Sequence, residues 1–416
     1  MSSLAFGFLW LLTFVIPWES SLLIPGIGTM GKLVGLLAAP IGVLAILMRG
    51  RAHAPAFFHL VAACSVIWVG LTSIWTIDPE RTGAALMGVA QAVVIPWLIW
   101  ELAATPQRRA GLLQAYVFGA YVSALYTILT YRAGVATGIV DSRYAAEGFN
   151  PNSLGFLLVL GLAMAWHLSL SQRHPILRWI NRLYIPVGVL GTLLTGSRSS
   201  LILMGVALFL VPLTLGRLSH AMKVTVTVSI VATIIAAAAF IPAATLARLS
   251  TTKDELETGD LNERRVVWEA GLQLVPRHPF LGVGAGAFSP AVFPFLGKRK
   301  VAHNTYLSVL VEQGMIGLTL FGLMLVSLYF HARSAPPDER RFAFTLLLIL
   351  LIGLMPRTAE FEKSTWLIFG LLLTRTRTPS ALAGPVGPWM PSRTRPPSRL
   401  QAATRRSAPG PLPNLE

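Results

Sequence analysis

Apolar runs long enough to cross a bilayer alternate with short polar breaks over most of this chain. They fall at roughly 3–18, 31–48, 56–75, 83–103, 111–131, 152–171, 183–197, 199–216, 222–242, 304–330, 341–356 and 364–374. A hydrocarbon core about 30 Å thick needs about 20 helical residues at 1.5 Å each, and most of the runs approach that length. Lipid offers no water to the backbone, so each run predicts a helix; the weak alternating segments of a barrel are absent. The pattern predicts an all-α integral membrane protein with about 12 transmembrane helices. The count depends on the polar break Thr195-Gly196-Ser197-Arg198-Ser199-Ser200 being a turn, because otherwise every later span changes side.

Charge supports the turn. With twelve spans and an inside N-terminus, the five inside loops hold twelve basic residues, and the short outside loops hold seven. That is the asymmetry of the positive-inside rule. Removing the turn would carry Arg217 and Lys223 outside. The expected topology has both termini in the cytoplasm, with the first run kept as a helix because no basic n-region or small-residue cleavage site accompanies it.

The same topology leaves one large hydrophilic segment, 243–302, facing outward. The expected organisation is thus helices one to nine in 1–242, the outward loop in 243–302, helices ten to twelve in 303–374, and a tail in 375–416. From Asn262 to Val275, apolar Val266, Val267, Ala270 and Leu274 recur at helical spacing before Pro276, which predicts an amphipathic helix at the membrane surface. The preceding stretch, Ser250 to Asp260, is acidic and polar.

Composition agrees. Only 12% of the 416 residues are charged and 54% are hydrophobic, against about 25% charged in a soluble domain. The net charge of +16 does not indicate nucleic acid, because seven arginines sit in the Pro- and Ser-rich tail (Arg375, Arg377, Arg393, Arg395, Arg399, Arg405 and Arg406). Such a tail is expected to be disordered near anionic headgroups. Cys64 is the only cysteine, which excludes an intramolecular disulfide.

Few outward groups can move a proton near neutral pH. Of eight histidines, only His278 and His303 fall outside, and His303 stands where the large loop re-enters the membrane. Partial desolvation there would keep its imidazole neutral and able to accept a proton, though taken alone such a histidine more often caps a helix start or anchors at the interface. Arg198 lies in the tight turn between two apolar runs, where a guanidinium either snorkels or meets an anion. Arg264 and Arg265 open the amphipathic helix against its dipole, so an anion nearby is expected, with Glu263 able to satisfy one of them. The run Gly282-x-Gly284-x-Gly286 follows no strand and reads as a tight backbone passage. No metal-ligand spacing is present. Glu312, below His303 on the same helix, reads as a structural bond between neighbouring helices.

In combination these stretches resemble the O-antigen ligase and O-antigen polymerase superfamily of bacterial membrane glycosyltransferases. The resemblance rests on Arg264-x-x-x-Trp268, His278-Pro279-Phe280-Leu281-Gly282-Val283-Gly284, Gly286-Ala287-Phe288, His303-Asn304-Thr305-Tyr306-Leu307 and Glu312-x-Gly314-x-x-Gly317-Leu318. Upstream, Gly196-Ser197-Arg198-Ser199 and Asn150-Pro151-Asn152 are similar to further patches of that family. The resemblance implies an inner-membrane enzyme, metal-independent and without a cofactor. Its donor would be an undecaprenyl-diphosphate-linked glycan, transferred with inversion to an acceptor hydroxyl on a glycan or lipid A–core in the periplasm. It assigns diphosphate binding to Arg198 and Arg264, with Arg265 as a second choice, and general-base work to His303. Trp268, Asn304 and Tyr306 become supporting residues. Polymerase activity on O-antigen or exopolysaccharide stays open, because the outward loop is compact for seating a large acceptor. A transporter or flippase of lipid-linked saccharides is the alternative from another class.

Overall fold

The computed structural model describes residues 1–136, 143–214, 219–240, 243, 247 and 263–374. The acidic stretch 250–260 and the arginine-bearing tail 375–416 lie outside them. Fourteen α-helices are described: α1 (Ser2–Val15), α2 (Met30–Met48), α3 (Phe57–Leu71), α4 (Pro79–Leu102), α5 (Pro106–Arg132), α6 (Pro151–Ser171), α7 (Pro175–Leu194), α8 (Arg198–Thr214), α9 (His220–Phe240), α10 (Arg264–Leu274), α11 (Phe288–Leu296), α12 (Thr305–Arg333), α13 (Pro337–Leu354) and α14 (Lys363–Leu373). A two-residue ribbon, Leu23–Ile24 against Gly28–Thr29, is the described sheet.

Local chemistry marks the starts. Proline opens α4, α5, α6, α7 and α13, where its missing N–H has no intrahelical acceptor to lose. Side-chain oxygens of Thr29, Asp78, Thr105, Asn150 and Asn304 accept first-turn N–H groups of α2, α4, α5, α6 and α12.

Twelve of these helices fall on the twelve apolar runs. Seven are long and apolar enough to cross a membrane: α1 with its trailing turn, α2, α3 with its trailing turn, α4, α5, α6 and α12. The chain is an all-α membrane protein. Two runs differ from expectation. α7 begins at Pro175, eight residues before the predicted 183, because its polar Asn181 is buried and exchanges two side-chain hydrogen bonds with Gln114 of α5 (2.8 and 3.1 Å). α14 has 11 residues, about 16 Å of helix. It is buried on every side and, among the described residues, is shorter than the seven long helices.

The break at 195–198 is a turn, with Gly196 at φ +57° between α7 and α8. Helix ends sort into two groups. At one end Lys363 bonds Glu19 (2.7 Å), Arg143 donates to the Thr195 carbonyl (3.0 Å), and Thr305 bonds the Arg357 carbonyl (2.8 Å). At the other, Arg49 pairs with Glu101, Arg109 pairs with Glu339, and Arg341 donates to the Leu213 carbonyl. His303 belongs to the first group.

α12 is broken at Gly314, whose φ/ψ of 66°/−168° no L-residue adopts comfortably. The break frees carbonyls and N–H groups in a buried place, and the glycine-rich stretch after α10 takes them up. Val283 and Gly284 donate to the Val311 and Glu312 carbonyls (3.0 and 2.9 Å), Met315 donates to Pro279 (2.9 Å), and the Trp68 indole donates to Gln313 (3.0 Å). A Cβ on Gly282 or Gly314 would strike the facing backbone, and one on Gly284 would strike Thr76. The reading of this glycine run as a tight backbone passage agrees with that packing.

Gly314→Ala should therefore destabilise the purified protein by about 2–3 kcal/mol. Gly205→Ala, at an exposed helical glycine with open space around it, should leave the melting temperature unchanged or slightly raised. Thermal unfolding in detergent checks the contrast.

Candidate functional site

The glycine-rich stretch is locked from the side as well. The Glu312 carboxylate accepts N–H bonds from Gly286 (2.7 Å) and Phe288 (3.1 Å). It therefore sits at the N-terminus of α11, where it takes up N–H groups that have no intrahelical acceptor. Thr72, in the turn after α3, and Thr82 of α4 hold the backbone of Ala285 (3.2 and 2.8 Å). With α11 fixed, Phe288 packs on Gly271 of α10, and Val267, Ala270, Leu274, Val292 and Leu307 form a small core beneath. Val266, assigned to that apolar face by its spacing, is instead exposed. The buried stripe is completed by Gly271, whose missing side chain admits Phe288.

This frame delivers Arg264, the first residue of α10, to His303. The Trp268 indole donates to the Ala302 carbonyl (2.8 Å), tying α10 to the residue before the histidine. The His303 N–H donates to Thr358 Oγ1 (2.9 Å), and Thr305 Oγ1 donates to the Arg357 carbonyl and accepts from Ala359. Held from both sides, His303 adopts φ +47°, a left-handed conformation that costs a non-glycine residue free energy. Its ring is half-buried. Burial pushes its pKa down to about 4, and the neighbouring Arg264 and Lys300 cations push in the same direction. The imidazole is neutral at pH 7.

Arg265 does not join this cluster. It is exposed and pairs with Glu269 one turn along α10 (3.3 Å). Asn304 caps α12 through Leu307 N–H (3.2 Å), and the Tyr306 hydroxyl donates to the Leu351 carbonyl (2.9 Å). His278 is exposed. Arg198 reaches the same end of the bundle by another route. It starts α8 behind a knot of hydroxyls in which Ser200 bonds Ser197 (2.9 Å), and Ser200 packs on Gly155 of α6. One residue on, the Phe156 ring lies 4.1 Å under the Arg357 guanidinium, whose backbone is bonded to Thr305.

Residues 183–322, about a third of the chain, match the family model described as O-antigen ligase. That match supports the O-antigen ligase/polymerase superfamily. The matched span contains Arg198, Arg264, Arg265, Trp268, His303, Asn304, Tyr306 and Glu312. No curated protein matches the chain.

Some residues at this end of the bundle are not evident from the sequence. Arg357, counted there only as a loop charge, is buried, paired with Glu362 and stacked on Phe156. Glu360 is buried near Glu312, and burial pushes its carboxyl well above the usual range. Arg143 bridges the Thr195 carbonyl and Asn152 (3.0 and 2.7 Å), which explains why Asn150-Pro151-Asn152 forms a fixed patch. The available signal was an Arg and a Glu three apart between two apolar runs; nothing in that spacing reveals what they touch.

The His303 arrangement predicts a measurable titration. Modification of the His303 peptide by diethylpyrocarbonate, followed by mass spectrometry, should reach its half-point near pH 4. In Arg264→Ala the half-point should move upward, because removing a neighbouring cation makes the imidazolium easier to form.

Proposed function

We propose that this chain transfers a glycan from a polyprenyl-diphosphate carrier to an acceptor hydroxyl at the His303 end of the bundle, as an O-antigen ligase-like enzyme in the bacterial inner membrane. The observation that carries this reading is a neutral, half-buried imidazole flanked by Arg264 and Lys300. The match of residues 183–322 to the O-antigen ligase family model supports the reaction class. The proposed topology has twelve spans, both termini cytoplasmic and the His303 end in the periplasm, with residues 243–302 as the periplasmic loop.

In this reading the acceptor hydroxyl attacks the anomeric carbon from the face opposite the diphosphate. The new C–O bond forms as the C–O bond to phosphate breaks, and the hydroxyl proton passes to His303. The diphosphate leaves as an anion, so it needs charge stabilisation more than a proton. Guanidinium groups at a site shielded from bulk water provide that. Arg264 and Arg198 take this role, each from a different part of the polypeptide. Arg265, turned outward onto Glu269, is left out of the pocket.

Donor binding also tunes the base. Burial holds the His303 pKa down in the free protein and Arg264 and Lys300 add to it, and an anionic diphosphate beside these cations would offset their charge. Basicity then rises when the donor is in place, which is when it is needed. Trp268, Asn304 and Tyr306 support the site by fixing the backbone around His303 through the three bonds described above.

His303→Ala should lower transfer in donor-supplied proteoliposomes by about 10²–10⁴-fold while the protein accumulates normally. Arg264→Ala and Arg198→Ala should raise the donor KM, whereas Arg265→Ala should behave as wild type. Covalent product from donor, acceptor and this protein alone separates an enzyme from a transporter. The acceptor that is used, lipid A–core or a second lipid-linked glycan, separates ligase from polymerase. Full transfer by His303→Ala would remove the base assignment.

A further inference from the structure

A second site lies at the opposite end of the bundle. A cavity of about 540 Å³ opens between α6, α7, α8 and α13, within the range of small-ligand pockets, about 300–1,000 Å³. Arg178, Arg182 and Arg341 form its rim, and buried Trp166, Leu210 and Phe342 form its floor. The lining carboxylate, Glu339, is already ion-paired with Arg109. Among the described lining residues, three guanidiniums therefore face the cavity against one committed negative charge.

Their placement makes the imbalance sharper. Arg178 and Arg182 stand one turn apart in the first two turns of α7, where like charges repel and the helix dipole is itself positive. The cap residue of α7, His174, makes no side-chain capping bond. An anion entering the cavity meets the planar guanidinium donors of Arg178, Arg182 and Arg341, a donor geometry that binds phosphate.

The remaining question is which phosphate. A charged rim over an apolar floor fits an amphiphile better than a free ion. The outer faces of α7 and α8 beside the cavity expose Ile176, Leu183 and Phe209, as surfaces in contact with lipid do. Basic pockets between membrane helices bind anionic headgroups by this chemistry. We infer that this cavity, remote from His303 and independent of glycan transfer, is a binding site for the phosphodiester headgroup of an anionic phospholipid, with Arg178 and Arg182 as its principal contacts.

The test uses the full-length protein, purified in detergent, delipidated, and titrated separately with phosphatidylglycerol, phosphatidylcholine and inorganic phosphate. Native mass spectrometry reads occupancy and thermal melting reads protection. Phosphatidylglycerol should remain bound and raise Tm, whereas phosphatidylcholine and inorganic phosphate should not. The double substitution Arg178→Ala/Arg182→Ala should weaken phosphatidylglycerol binding by at least about tenfold. Arg178→Lys/Arg182→Lys keeps the charge and should lose less, which separates lost recognition from failure to fold. Three outcomes overturn the inference: equal retention of the two lipids, protection by inorganic phosphate equal to that by lipid, or unchanged affinity in the alanine variant.

Discussion

A helix broken inside a membrane protein must have its freed backbone groups satisfied by protein, because lipid cannot do it. That constraint, met at Gly314, organises this structure. Carbonyls of Val311 and Glu312 and the N–H of Met315 would be orphans without the stretch Pro279 to Gly284, which bonds them in register. The stretch can approach so closely only because Gly282, Gly284 and Gly286 carry no side chain and accept positive φ. The Glu312 side chain then holds the far end of the same loop at the start of α11. One residue thus binds the loop twice, through its carbonyl and its carboxylate.

The electrostatics of the site follow from this clamp. A loop pinned to α12 brings α11 and then α10 against the first turn of α12, where Arg264 and Lys300 act on His303. An amphipathic helix floating at a membrane surface would not hold a cation against a histidine reproducibly. Cations also gather at the opposite end of the bundle, but the partners differ. There Glu101 and Glu339 neutralise Arg49 and Arg109 directly, while Arg178 and Arg182 stay together on one helix face. Near His303, Glu312 bonds the start of α11, Glu362 pairs with Arg357, and Glu263 pairs with Lys298 and Lys300.

Much of the architecture was legible in the linear pattern. Runs of apolar residues bounded by Pro, Asn, Asp or Thr specify where helices start and stop, because capping and the cost of exposed backbone act over a few residues. The turn at Gly196, the helix after Asn262, the glycine passage and the short motifs around His303 were all readable in that way. Where the reading slipped, a buried polar residue was the reason. Asn181 looked like a loop residue until Gln114 of another helix satisfied it, and Val266 fitted an apolar stripe that Gly271 in fact completes.

Sequence by itself determined the class of protein, the helix positions and the set of residues able to carry charge or a proton, since these depend on composition and on contacts a few residues apart. Tertiary structure alone decided that Arg264 and not Arg265 faces His303, that Glu312 bonds the glycine-rich stretch and the start of α11, and that Arg357 and Glu360 are buried at the same end. Those outcomes depend on which surfaces meet between elements well separated along the chain. Side-chain direction at such meetings is set by packing, and local sequence carries no record of it.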